Sequence, residues 1–337
     1  MKLGTKLGLG FGTLILLTMV IGGFAIINML WVSEESGYLG NEYVPEVRIA
    51  NNLERSALRA MYAMRGYGLT GKDEYLKDGE FQLSGINRFL EEAEALAVKS
   101  ERLVMLKESV KDLQISLGNY KKLVEETKDA NALLLKTGQQ LDAAAIEFVD
   151  NNQRFIDVQN IRLQEEIQKG VSGSKLQERR RKVFIASNIQ NSGNQIRVKV
   201  FKAQARKQFD LLQEAQKDFR QLEQMYADLR EITYLPADQE KLNVSERSAR
   251  DYQEAIVTLN EVSEKLQLLG QERDAAGSEL LAQAQSLSEK GMLETEGISK
   301  SNIAMVDRSS VFMVAGMVVA LLLGSLLAWA ITKAIVQ

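Results

Sequence analysis

Residues 7–33 read LGLGFGTLILLTMVIGGFAIINMLWVS, and none of these 27 residues carries a charge. About 20 consecutive apolar residues are enough for a helix to cross the hydrocarbon core of a bilayer. The stretch is longer than the apolar region of a cleaved signal peptide, and no Ala-x-Ala cleavage site ends it. It therefore predicts a retained membrane-spanning helix at 7–33, preceded by a short tail at 1–6.

A second uncharged stretch, SSVFMVAGMVVALLLGSLLAWAIT, occupies residues 309–332. Its 24 residues, mostly Val, Leu, Ala and Met, are again enough to span a bilayer. The only two tryptophans, Trp31 and Trp329, lie near one end of each stretch, and amphipathic rings concentrate at membrane interfaces. We expect a protein with two transmembrane helices.

Lysines set the expected orientation of both spans. Lys2 and Lys6 precede the first span and Lys333 follows the second, and cations accumulate on the cytoplasmic side of a membrane. Both termini, including the short segment 333–337, are therefore predicted in the cytoplasm, with residues 34–308 on the outer side. The lack of cysteine fits a periplasm, so the predicted location is the inner membrane of a bacterium.

Composition argues against several classes of function. The 337 residues contain no cysteine and no histidine, which removes disulfides, thiolate nucleophiles, imidazole acid–base catalysis and metal sites built from these groups. The net charge of −3 gives no reason to expect nucleic acid as a partner. A carboxylate pair such as Asp142 and Glu147 lies five residues apart and does not share a helical face. We predict that the protein is not an enzyme and needs neither cofactor nor metal.

The outer region has the composition and spacing of long helices. Ala, Leu, Glu, Gln, Lys and Arg dominate, and apolar residues recur at intervals of three and four. Pro45 and Pro236 are the only prolines. Breaks are predicted at Thr70–Asp73, Gly170–Ser174 and Tyr234–Asp238, with softer ones near residues 100 and 206. The predicted helices run over about 35–69, 73–98, 100–169, 175–206, 210–233 and 238–308.

The two halves of this region resemble each other. Ile49–Asn52 matches Ile185–Asn188 at an offset of 136, and Gly138–Ala144 matches Gly270–Ala276 at an offset of 132. A chance match between helices rich in Ala, Gln and Glu is the alternative. Duplication accounts for two short helices and one long helix in each half. It predicts an all-α fold in which a six-helix periplasmic region forms two stacked four-helix bundles that share the long helices.

The two spans, the six helices and the two bundles resemble the helical bimodular sensor domain of bacterial chemoreceptors and sensor kinases. The segment Arg65–Leu76 is similar to the turn between the first two helices in several four-helix sensor families. Residues Ile331–Gln337 look like the entrance to a HAMP linker. The resemblance covers essentially the whole chain, through architecture more than through a sharp motif.

The resemblance implies a methyl-accepting chemotaxis protein that binds a small organic acid in the periplasm, as a homodimer. It also implies a signal that passes through HAMP to cytoplasmic signalling proteins. In well-known members, adjacent arginines on the first helix hold the ligand carboxylates. Aligned on Asp73, those positions are Tyr62 and Ala63 here, so the familiar arginine pair is not carried over. A sensor histidine kinase or cyclase input domain, and a ligand-free periplasmic spacer, are the alternative functions.

The first outer helix has two stripes. Its core stripe is Ile49, Leu53, Ala57, Ala60, Met64 and Tyr67. The opposite face carries Arg48, Arg55, Arg59, Tyr62 and Leu69. One interpretation of this second stripe is a solvated surface. The other is a dimer face whose arginines hold an anion, because the planar guanidinium binds a carboxylate through two hydrogen bonds.

Two further arginines are candidate ligand contacts. Arg65, near the end of the same helix, also has a simpler role in offsetting the helix dipole. Arg197 begins a basic patch with Lys199, Lys202 and Arg206, which is either a second anion site or a solvated surface. The predicted ligand-binding set is thus Arg55, Arg59, Tyr62, Arg65 and Arg197.

Two other features of the outer region have mainly structural interpretations. The cationic run Arg179–Lys182 is interpreted as an exposed surface with salt bridges. Gly291 and Gly297 soften the helix that leads to the second span, or occur there by chance.

Overall fold

The computed structural model describes residues 3–171 and 173–336, which form helices joined by short turns. The elements are α1 (Leu3–Tyr38), a π-turn (Leu39–Tyr43), α2 (Val44–Thr70), α3 (Asp73–Lys99), α4 (Val104–Gln168), α5 (Gly173–Arg206), α6 (Asp210–Glu231) and α7 (Pro236–Val336). No strand occurs in these two ranges, and the all-α prediction is confirmed. Every predicted break is present to within a few residues.

The turn between α2 and α3 shows why the predicted breaks were accurate. Gly71 has a φ of 68°, in the left-handed region that a side chain disfavours. Its N–H donates to the carbonyl of Tyr67 at 2.7 Å and so satisfies one of the last carbonyls of α2. Asp73 and Glu74 then open α3, where acidic side chains favour the positive end of the helix dipole.

The join between α1 and α2 contains a feature that the sequence did not predict, a π-turn. No loop separates the first apolar stretch from the outer helix, since α1 runs to Tyr38 and continues through the π-turn. The N–H of Val44 donates to the carbonyl of Leu39, five residues earlier. This wider turn lies directly ahead of Pro45, where the helix loses a backbone donor and the ring crowds the preceding turn.

The chain divides into two compact units. The first unit comprises the described residues up to Met64, Asp73–Tyr120 and those from Ala276 onward. The second unit comprises Arg65–Lys72 and the described residues of Lys121–Ala275.

Four helical segments bury apolar side chains in the first unit. The buried side chains include Ile49, Leu53, Ala57, Ala60 and Met64 on α2, Leu83, Ile86 and Leu90 on α3, Leu106, Val110, Leu113 and Leu117 on α4, and Leu280, Ala284 and Leu287 on α7. With Tyr67, which lies in the second unit and is also buried, all six residues of the predicted α2 core stripe are confirmed as buried.

The second unit also draws its core from four segments, on α4, α5, α6 and α7. Tyr252 stacks on Phe148 with ring centroids 6.1 Å apart, and it meets Phe219 edge-on at 5.7 Å. A polar network also lies within this core. Asn152 donates to the carbonyl of Ala186 at 3.0 Å, so this buried amide finds a partner.

The apolar parts of α1 and α7 are long and apolar enough to cross a membrane. They pack on each other at Phe24 and Phe312, whose ring centroids lie 4.3 Å apart. Most of their other side chains, including Trp31 and Trp329, are exposed. Such surfaces fit lipid better than water.

Candidate functional site

The α2 stripe, defined as Arg48, Arg55, Arg59 and Tyr62, lies on the exposed surface of the first unit. Tyr62 is 77% exposed, and Leu58 on the same face is also exposed. The predicted Leu69 is exposed as well, in the second unit. The prediction that this face points away from the core is confirmed.

The three guanidinium groups of the α2 stripe are available to a ligand. Within residues 3–171 and 173–336, no carboxylate lies within ion-pair distance of Arg48, Arg55 or Arg59. Residues three or four positions apart on a helix are neighbours on its surface, so Arg55, Arg59 and Tyr62 are adjacent. Two guanidinium groups and one phenol can together offer several hydrogen-bond donors to an anion.

Arg65 has a partner of its own. Its Nε donates to Oδ2 of Asp274 on α7 at 2.9 Å, inside the second unit, and both side chains are partly exposed. We therefore explain the position of the Arg65 side chain by this ion pair, and no longer mainly by an interaction with the dipole at the end of α2. Such half-exposed pairs contribute at most about 1 kcal/mol to stability.

A buried guanidinium that the sequence did not reveal lies near Arg65. Arg273 on α7 is 3% exposed and donates to Oγ1 of Thr127 at 3.1 Å. Gly68 makes room for it, because a Cβ at that position would come within 2.9 Å of an Arg273 nitrogen. Its spacing from the buried Leu269 and Leu280 places it on the core face of α7, which is the signal that could have identified it.

The predicted basic patch on α5 is smaller than expected. Lys199 turns to Asp218 on α6, with Nζ and Oδ2 2.6 Å apart. Arg197, Lys202 and Arg206 stay exposed and line a shallow groove with Phe201, which is 69% exposed. None of these three cations pairs with a carboxylate in the described part of the chain.

The cationic run at 179–182 is only half an exposed surface, so that prediction was wrong for two of its four residues. Arg180 and Arg181 are exposed, whereas Arg179 and Lys182 are buried. Lys182 pairs with Glu178 at 2.7 Å.

Arg179 joins two carboxylates from other helices. It lies 2.8 Å from Glu166 on α4 and 3.2 Å from Asp238 on α7. Arg162 meets the second oxygen of Asp238 at 2.5 Å. The hydrogen bond from Arg179 lowers the pKa of Glu166. This network of buried charges connects the ends of three helices.

One buried carboxyl lacks such partners. Glu46, at the start of α2, is 2% exposed, and burial raises its pKa to about 7, with the negative charge of Glu294 adding to the shift. It lies three residues before Ile49 on the core stripe, a spacing that could have indicated its burial.

The sequence matches no protein-family model, and no curated protein is detectably similar to it. The residues described above therefore carry the functional interpretation by themselves.

Proposed function

We propose that the chain is the sensory and transmembrane part of a bacterial chemoreceptor that binds a small organic anion in the periplasm. The observation that carries the proposal is the continuity of α7, a single helix of 101 residues from Pro236 to Val336. Because it has no break, a change in its packing in the outer region is passed directly to the second apolar stretch. In the proposed topology, residues 34–308 form two stacked bundles in the periplasm and both termini are cytoplasmic.

The α2 stripe supports the choice of an anionic ligand. Arg55 and Arg59 lie one helical turn apart, are exposed, and face no carboxylate of the described chain. Arginine suits this role because its fork of N–H donors matches a carboxylate. Arg197 on α5 is a candidate for a second site of the same kind.

Exposed apolar side chains on the same face support a homodimer. Val44, Leu58 and Tyr62 lie on the α2 face at heptad-like spacings of fourteen and four residues, and all three are exposed. At the offset of 136, Tyr62 corresponds to Val198, which is also exposed. Tyrosine and arginine are enriched at protein interfaces. A second copy on this face would surround the anion with guanidinium groups from both chains.

Signalling then requires that the ligand favour one packing of the helices. Packed helices shift in steps of about 1–2 Å, and a ligand biases the equilibrium only by its difference in affinity for the two states. The cytoplasmic output module would follow a HAMP linker after Lys333.

The test is calorimetric titration of the full chain in lipid nanodiscs with mono-, di- and tricarboxylates, and with amines as a contrast. We expect one carboxylate to bind, and to stabilise the outer region by about 2.7 kcal/mol at 100 times its dissociation constant. Arg59→Ala should abolish binding, while Arg197→Ala, a matched exposed arginine, should retain it.

The other outcomes also decide between functions. Binding that is lost only in Arg197→Ala would place the ligand on α5. If none of the acids or amines binds, the anion-sensing proposal fails and the ligand-free spacer becomes the better explanation. If a carboxylate does bind, fusion of the chain to a chemoreceptor output module or to a histidine kinase module will identify which output responds to it.

A further inference from the structure

Glu46 is a buried carboxyl with an unmet hydrogen bond. It lies three residues after the π-turn, where α2 enters the first unit, and its Oε2 has no hydrogen-bond partner in the described residues. No described cation lies within ion-pair distance of it. An ionised carboxylate in such a place loses its hydration without compensation, which is costly.

The helix opposite Glu46 presents almost bare backbone to it. A Cβ on Gly291 of α7 would lie 3.6 Å from the Glu46 carboxyl carbon and 3.2 Å from Cγ2 of Val47. The glycine thus allows α2 and α7 to approach closely at this point. One turn further along α7, Oγ1 of Thr295 is also buried and has no partner in the described structure. The contact is therefore tight and short of hydrogen bonds.

The charged groups around this contact do not neutralise Glu46. Glu294 on α7 acts on Glu46 as a second negative charge, and Glu42 and Tyr43 lie on the π-turn. Arg102 in the α3–α4 turn is the cation that acts on the adjacent Tyr43, but it lies 3.1 Å from Glu35 on α1 and its guanidinium covers the ring of Tyr38 on the same helix.

The carboxyl of Glu42 accepts a hydrogen bond from Ser100. Of these charged groups, Glu42 and Glu294 are acidic, and Arg102 is already paired with Glu35.

We propose that Glu46 is a proton-binding site whose deprotonation loosens the contact between α2 and α7 next to the membrane-spanning segments. The neutral acid fits the dry contact beside Gly291. When the proton leaves for solvent, the carboxylate needs water, and water can enter only if the two helices separate. The π-turn just before Glu46 is suited to absorb the change, since its wider hydrogen bonds allow α2 to shift register.

This proposal is independent of the anion ligand, because it concerns a proton on a different face of α2. The experiment measures the distance between spin labels at Val44→Cys and Met292→Cys in the full chain in nanodiscs. Both positions are exposed and border the groove beside Glu46, and the absence of native cysteine leaves no competing label. Dilution with unlabelled protein removes distances between copies.

We expect a longer and broader distance distribution at pH 8.5 than at pH 5.5, with a shift of about 1–2 Å or more and a midpoint near 7. Glu46→Gln, which imitates the neutral acid, should keep the short distance at both pH values. Glu296→Gln is the matched control, because that carboxylate is exposed and pairs with Lys300 at 2.5 Å. It should shift like the native chain.

Two results would overturn the proposal. One is a native distribution that does not change with pH, and the other is a pH-dependent change that persists in Glu46→Gln. A distance in Glu46→Gln that resembles the high-pH state at both pH values would also contradict it, since the neutral side chain would then not hold the helices together.

Discussion

Asp238 in the second unit and Glu46 in the first are both almost fully buried, yet their surroundings differ completely. Asp238 meets two arginines, at 2.5 and 3.2 Å, whereas Glu46 meets no described cation. A buried carboxyl that faces cations from other helices connects those helices, whereas burial without a cation raises the pKa of the carboxyl. The second unit therefore contains a fixed electrostatic connection, and the first contains a group that can change charge near neutral pH.

The largest expected effect comes from breaking the fixed connection. Arg179→Ala leaves Asp238 and Glu166 with less compensation in a buried site, which costs about 3–5 kcal/mol. Hydrogen exchange of the α5 amides in the full chain should show this loss of protection. Arg181→Ala, an exposed arginine two residues away, should change protection by less than about 0.5 kcal/mol. Equal effects of the two variants would contradict the role of Arg179.

The next effect concerns the pH dependence of the first unit. The pKa of Glu46 is raised from 4.5 unfolded to about 7 folded, so the folded state binds the proton more tightly. The contribution of Glu46 to the free energy of unfolding is fully present below pH 4.5 and is lost as the pH rises through about 7. We expect the first unit to be about 2–3 kcal/mol less stable at pH 8 than at pH 5. Glu46→Gln should flatten this difference in exchange protection, and Glu296→Gln should not.

The second unit should respond to acid with the opposite sign. The pKa of Glu166 is lowered in the folded state, so its contribution is present above the unfolded value of 4.5 and is lost as the pH falls through the folded value. Because this group is partly solvated, the loss should be only about 0.5–1 kcal/mol between pH 5 and pH 2. Exchange protection at the end of α4 reports it, and Glu166→Gln should remove the dependence. A unit that instead gains stability in acid would disprove this assignment.

The smallest effect is expected at the half-exposed pair of Arg65 and Asp274. Arg65→Ala should destabilise the turn after α2 by about 0.3–1 kcal/mol, and added salt should reduce the difference from the native chain. A loss above about 2 kcal/mol, measured by exchange at Gly71, would mean that Arg65 supports more than this ion pair.

Local signals in the sequence were enough for much of the fold. The apolar stretches were recognisable from length. Gly71 marked the end of α2 and Pro236 the start of α7, because glycine permits a positive φ and proline cannot continue a preceding helix. The α2 core stripe followed from spacing alone, since one face of a helix repeats every three or four residues. These features depend on neighbours a few positions away.

The missed features depend on distant partners. Arg179 is buried because Asp238, 59 residues later, meets it, and no local pattern distinguishes it from the exposed Arg180. Glu46 and Arg273 stand at positions whose spacing matches the buried face of their helices. Because both are charged, a search for apolar residues does not include them in the core. The π-turn was missed because the helix predicted over about 35–69 was drawn through Pro45, without allowing for the backbone donor that this proline removes.

The π-turn also fixes a phase relation along the chain. A π-turn accommodates an additional residue in an otherwise α-helical path, and each residue rotates an α-helix by about 100°. In one regular α-helix, Phe24 and Ile49 would have a fixed angular separation about the helix axis. The π-turn changes that angle, so it rotates the face of α2 that is buried at Ile49 relative to the face of α1 that packs on α7 at Phe24. The number of residues between these two contacts therefore matters as much as their identity. A deletion at Gly40 would rotate the α2 stripe relative to the first apolar segment, although every side chain of the α2 stripe would stay the same.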